Sequence, residues 1–133
     1  MPPQVIEYNN AVDTYAAPSR NGEYGLFARA PMSKGDIIVR FDNPNLWSEQ
    51  RYYDLSPEIK KKRWFVMIGP ERCLVSSICT SFSFINHSDK PTAYIDEEMR
   101  QVIALSDIKK DEEITLDFKE HVLVFKEIFP NLK

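Results

Sequence analysis

The sequence predicts a mostly β fold carrying one or two helices, and three observations lead there. Short runs rich in β-branched and aromatic residues recur along the chain, Ile37-Ile38-Val39-Arg40-Phe41 being the clearest. Turn chemistry separates them about every dozen residues. Glycine is confined to Gly22, Gly25, Gly35 and Gly69, with no strand–helix alternation around them, so a Rossmann-type nucleotide site is excluded. The length of 133 residues fits one domain able to build a core without metal or disulfide support.

Residues 1–18 read as an N-terminal extension with one short strand at Val5–Tyr8. Ser19-Arg20-Asn21-Gly22 is a turn, because Asn and Gly both tolerate positive φ. Leu26–Ala30 extends as a strand, Ser33-Lys34-Gly35-Asp36 turns, and Ile37–Phe41 is the next strand. Residues 42–54 read as loop with an irregular helical turn. At Ser56-Pro57-Glu58 a helix begins, with a Ser N-cap, Pro at the first helical position and an acid in the first turn. It is expected to run through Lys60–Trp64 and to stop before Gly69-Pro70. Cys73–Ser76 reads as a strand, and Thr92–Asp96 with Gln101–Leu105 as a hairpin around Glu97-Glu98-Met99. Lys109–Glu112 turns into a strand at Ile114–Phe118, and Val122, Phe125 and Phe129 give the tail a helical spacing.

Composition narrows function. Seventeen basic against twenty acidic residues leave a net charge of −3, which argues against nucleic acid as the main partner. The run Lys60-Lys61-Lys62-Arg63 reads as a solvated helix face before it reads as a targeting or nucleic-acid patch. Cys73 and Cys79, separated by five residues, lack zinc-site spacing, so buried free thiols and no metal are expected. No signal peptide or membrane span is apparent, which gives an expectation of an intracellular protein, cytoplasmic or nuclear. Glu112 and Glu113 are adjacent and face opposite sides of any strand, so they read as a solvated turn and not as paired catalytic carboxylates.

Three blocks in order carry a more specific signal. They are Ser19-Arg20-Asn21-Gly22-Glu23-Tyr24-Gly25-Leu26-Phe27-Ala28, then Phe84-Ile85-Asn86-His87-Ser88-Asp89-Lys90-Pro91-Thr92, then Ala104–Phe118 with its Asp111-Glu112-Glu113-Ile114-Thr115-Leu116-Asp117-Phe118 end. Together they resemble the SET domain, the fold of most protein-lysine methyltransferases, over residues 19–118. The resemblance is to the short stand-alone type without zinc-binding flanks, with residues 42–80 as a variable insert and 119–133 as a helical C-terminal segment.

The resemblance implies several small sheets in a β-clip-like arrangement, with the C-terminal segment forming a pseudoknot. It implies S-adenosyl-L-methionine as cofactor and a lysine-containing protein or peptide as partner, with neither nucleic acid nor membrane required. By position, the backbone at Gly22 and Tyr24 would contact the methionine part of the cofactor. Asn86 and His87 would hold it near the ribose and adenine, and Phe125 would cover the adenine. The catalytic position is Phe118, where the family usually has tyrosine, and Tyr94 or Tyr24 is the candidate to supply the missing hydroxyl. Other departures are Glu23 for a glycine, Ser83 for an arginine, Thr92 for an asparagine and Asp111 for a turn glycine. The activity expected is protein-lysine N-methylation. A SET-fold module that binds cofactor or peptide without efficient transfer is the alternative, and a scaffold with neither property is the third reading.

Overall fold

The computed structural model describes residues 11, 13–19, 23–41 and 43–120. Within them the chain forms ten strands in three small sheets, one α-helix and three 3-10 turns. The first sheet has the order β1 (Thr14–Pro18), β2 (Tyr24–Ala28), β10 (Glu113–Leu116), β7 (Asn86–His87). The second is β3 (Ile37–Arg40), β9 (Gln101–Ala104), β8 (Ala93–Asp96), and the third is β4 (Trp47–Arg51), β6 (Arg72–Ser76), β5 (Phe65–Met67). The fold is thus mostly β, as the short β-branched runs predict.

Burial explains the pairing. Leu26, Ala28, Ile114 and Leu116 point into one core with Ile38, Val39, Phe41, Val102, Ala104 and Ile108. Phe41 anchors that core, meeting Trp47 edge-on at 5.1 Å and Phe82 edge-on at 5.0 Å. A second cluster of Tyr52, Leu55, Phe65, Met67, Cys73 and Val75 sits under α1 (Pro57–Lys62).

Several elements differ from the sequence expectation. Residues 14–18, assigned to an extension, pair along their whole length with β2, from Thr14↔Ala28 to Pro18↔Tyr24. Two alanines and a proline give that segment little strand propensity of its own, so the pairing is tertiary in origin. Strand β4 falls in the expected loop because only Trp47 of its five residues is buried. An edge strand with one anchoring residue shows no alternation. Val5–Tyr8 and the tail after Glu120 lie outside the described residues.

The Ser56 cap forms as expected, its Oγ accepting the Ile59 N–H at 3.2 Å. The helix is shorter than expected, however. It stops at Lys62, and Arg63 takes the left-handed conformation (φ 58°) before the buried run Phe65-Val66-Met67 joins β6 as a strand. The basic run does not present one uniform face. Lys60 Nζ lies 4.4 Å from the Tyr52 ring centre, Lys62 pairs with Glu58 and lies over Trp64, and Arg63 turns inward. Asp111 adopts φ 68°, so it performs the glycine's part in its turn. Its carboxylate also accepts the Tyr15 hydroxyl at 2.6 Å, a bond that raises the Tyr15 pKa.

The central strand β10 decides the topology. It runs antiparallel to β2 and parallel to β7, so a late strand lies between an early one and a middle one. Leu116 C=O receives the Ser88 N–H at 2.9 Å, closing the start of the turn after β7 onto β10. Thr92 and Thr115 interlock beside it. Thr92 N–H donates to Thr115 Oγ1 (3.2 Å), Thr115 N–H donates to Thr92 Oγ1 (3.0 Å), and Thr92 Oγ1 donates to Glu113 C=O (3.1 Å). Thr92 therefore ties β8 to β10 at the place where the motif usually has asparagine.

Candidate active site

The site grows from the junction of β2, β10 and β7. Thr115 faces Asn86 and Leu116 faces His87 in the parallel register. Neighbouring strand residues project to opposite faces, so the two motif side chains serve different surfaces. Asn86 Nδ2 donates to the Tyr24 carbonyl at 3.1 Å and to Glu113 Oε2 at 3.0 Å. Ser19 Oγ donates to the other oxygen, Glu113 Oε1, at 2.6 Å. One carboxylate on β10 thereby links the segment before β2 to the Asn-His-Ser turn. Gly25 makes room for it: a Cβ there would stand 2.4 Å from Glu113 Oε2.

His87 works on the other face. The Phe118 backbone N–H donates to His87 Nδ1 at 3.0 Å. An Nδ1 that accepts carries no proton, so the neutral ring is protonated at Nε2, which faces Asp89 Oδ1 at 3.2 Å. The His87 and Phe118 rings lie 5.7 Å apart at 36°. Asp117 Oδ1 is 3.8 Å from His87 Nδ1 and accepts the Lys119 N–H at 2.9 Å. Lys119 Nζ pairs with Asp89 Oδ1 at 2.6 Å. That bond holds the Asp89 carboxyl below the usual range and raises the Lys119 ammonium. Asp89 so ties the residue after Phe118 to the turn that carries His87.

Four of the sequence-derived positions meet here in two pairs, one on each face of β7. Tyr24 meets Asn86 through its carbonyl, and Phe118 meets His87 through its N–H and ring; both aromatic residues are half-buried against the main core. Tyr94 stands elsewhere, on β8 opposite Ile103. Tyr94 is 37% exposed while the adjacent Ala93 is buried, so its side chain faces away from the core. Gly22 and Phe125 lie outside the described residues.

Two participants escape the sequence reading. Glu113 was expected in a solvated turn but opens β10, with its carboxylate held by Ser19 and Asn86. Only Glu112 belongs to the turn, accepting the Lys109 N–H at 2.9 Å. Strand alternation was the available signal, since it already separates the two carboxylates. Arg63 is the other, donating from Nη1 to the Ile85 carbonyl at 3.1 Å, one residue before Asn86. Burial lowers its pKa and Glu23 opposes that shift. Away from the site, burial pushes the Cys73 thiol up to about 11, with Glu49 adding to it. Among the described residues no cluster of three or more His, Cys, Asp or Glu is placed to hold a metal, and no helix is long and apolar enough to cross a membrane.

On each face of β7 a motif side chain lies beside a half-buried aromatic residue and a carboxylate, Asn86 with Tyr24 and Glu113 on one and His87 with Phe118 and Asp117 on the other, a chemistry that suits a nucleoside bearing a cationic centre. In this respect the residues present fit the cofactor that the motifs imply. Comparison with known proteins agrees with the architecture. The SET domain family model matches residues 23–119, and the chain belongs to the SET domain family. That family consists in general of protein-lysine methyltransferases, which typically use S-adenosylmethionine. Among solved structures, the crystal structure of a candidate histone methyltransferase from Plasmodium falciparum is similar in fold, with a TM-score of 0.59 and 21% identity over 80% of this chain and 92% of that one. No curated protein matches the chain.

Proposed function

We propose that this protein is an S-adenosylmethionine-dependent protein-lysine N-methyltransferase. The observation that carries the reading is the Asn86 Nδ2 bond to the Tyr24 carbonyl, which joins two motif segments 62 residues apart in the chain. When bound, the cofactor supplies a methyl already activated on a sulfonium. The chain's residues have the remaining tasks. Tyr24 and the turn around Asn86–His87 hold the cofactor, and Glu113 keeps those two segments in register. Among the described residues β7 is the edge of its sheet, and an edge strand offers backbone donors and acceptors to a ligand beyond it. Phe118 forms an apolar wall. Next to such a wall and a neighbouring positive charge, a substrate lysine is desolvated and loses its proton more readily, as an attacking amine must.

The binding-module reading has one observation in its favour. Phe118 lacks a hydroxyl, and the Tyr94 ring is on the outward face of β8. The hydroxyl contact then falls to Tyr24, or is missing. Calorimetric titration with S-adenosylmethionine and labelled-methyl transfer to histones and lysate proteins test the proposal. Binding with transfer is expected; binding without transfer selects the module, and neither selects a scaffold.

A further inference from the structure

Arg63 occupies an unusual position at the end of α1. It caps the helix in the left-handed region at φ 58°, where glycine or asparagine is the common choice. A long, charged residue held there, where any Cβ is disfavoured, calls for a reason elsewhere in the structure. The side chain supplies one. It leaves the helix and runs inward, and Nη1 donates to the Ile85 carbonyl at 3.1 Å. The backbone returns the contact, because Ser83 Oγ donates to the Arg63 carbonyl at 3.2 Å. Residues 83 to 85 are buried and form the last part of the 3-10 turn and the step into β7, so this double link seats the segment that presents Asn86 and His87. Electrostatics extend the link, since Glu23, directly before Tyr24, is the acid that acts on the guanidinium. Ser83 also fills the place where the Asn-His-Ser motif commonly carries arginine.

We infer that Arg63 is a positioning residue for the candidate site: from the end of α1 it holds the Ile85–His87 segment where Asn86 reaches the Glu23–Tyr24 segment. Its role in cofactor affinity rests on the methyltransferase reading; its role in seating the segment does not.

The test uses the full chain and its Arg63→Met and Arg63→Lys variants. Amide hydrogen exchange on the ligand-free protein reads the seating. In Arg63→Met, the Ile85 and Ser88 amides should exchange about ten- to hundredfold faster, the loss expected for one hydrogen bond from a charged donor. Amides of the β4–β6–β5 sheet should not change. Arg63→Lys should recover only part of the protection, because it keeps the charge but not the planar fork. Met and Lys at position 63 meet the same αL strain, so that partial recovery identifies the cation, and not the backbone, as the cause. Uniform loss of protection across all three sheets, or none, would overturn the inference. Titration then reads the ligand. Affinity for S-adenosylmethionine and for its decarboxylated analogue should fall by the same factor in Arg63→Met. A loss confined to the carboxylate-bearing ligand would make Arg63 a direct ligand contact and overturn the positioning role. If the wild type binds neither ligand, the methyltransferase reading fails, and the exchange data alone decide the role of Arg63.

Discussion

Replacing Gly25 by alanine tests how the site is held together. The new methyl would stand 2.4 Å from Glu113 Oε2, 3.0 Å from Glu113 Cδ and 3.1 Å from Asn86 Nδ2. The first distance is too short for any carbon–oxygen contact, so the Glu113 carboxylate must move. That motion is open to it, since the atom is the far end of a flexible side chain, and the fold therefore survives. The cost is the carboxylate's bonds to Ser19 Oγ (2.6 Å) and Asn86 Nδ2 (3.0 Å). Bonds to a charged group are worth about 1.5–3 kcal/mol each, and partial exposure puts this pair at the lower end, near 3 kcal/mol together. Removing glycine's entropy penalty from a strand returns about 0.5–1 kcal/mol. The net loss is about 2 kcal/mol, or roughly 6–10 °C in Tm for a domain of this size. Urea or thermal unfolding of Gly25→Ala, Glu113→Ala and the double variant forms the assay. With the carboxylate gone, only the Asn86 amide crowds the methyl, so Gly25→Ala should be neutral or slightly stabilising in the Glu113→Ala background. The coupling energy should then be about 2 kcal/mol. An equal loss in both backgrounds would refute the role assigned to Glu113.

Other expectations are simpler to check. Phe118→Tyr restores the hydroxyl that the motif usually carries and should raise methyl-transfer turnover, up to about 10²–10³-fold where that contact is the missing one; a variant that binds cofactor and stays inactive would favour the binding module. Cys73 should resist iodoacetamide in the native state at pH 8, because burial holds the thiol protonated up to about 11. Since its folded pKa lies above the unfolded value, the stability it contributes is complete below about pH 8.5 and is lost as pH rises toward the folded value. A decline between about pH 8.5 and 10 that is unchanged in Cys73→Ala would contradict this. For Asp89 the sign is reversed: Lys119 depresses its pKa, so its contribution is present above about pH 4 and is lost on further acidification. Asp89→Asn should remove that part of the acid dependence of Tm and leave the neutral midpoint lower; an unchanged acid profile would dismiss the latch to Lys119.

Most local structure could be read from residue types. The Ser56-Pro57 start, the hairpin around Glu97-Glu98-Met99, the strand at Ile37 and the positive-φ turn at Asp111 all depend on local propensity and local sterics, which a short window of sequence contains. The three motif blocks fixed the family because their order and spacing are properties of the chain itself. Strands β1 and β4 were hidden, because their residues extend only when β2 and β6 offer hydrogen bonds. The early end of α1 was hidden as well, since helix and strand compete for Phe65-Val66-Met67 and the buried face of β6 decides between them. The site's bonds were beyond any local reading: Ser19 and Glu113 are 94 residues apart, Asn86 and Tyr24 62, and Arg63 and Ile85 22. Sequence named Tyr24, Asn86, His87 and Phe118 but not Glu113 or Arg63, and the insertion of β10 between β2 and β7 chose their partners, because a hydrogen bond depends on distance in space and not along the chain.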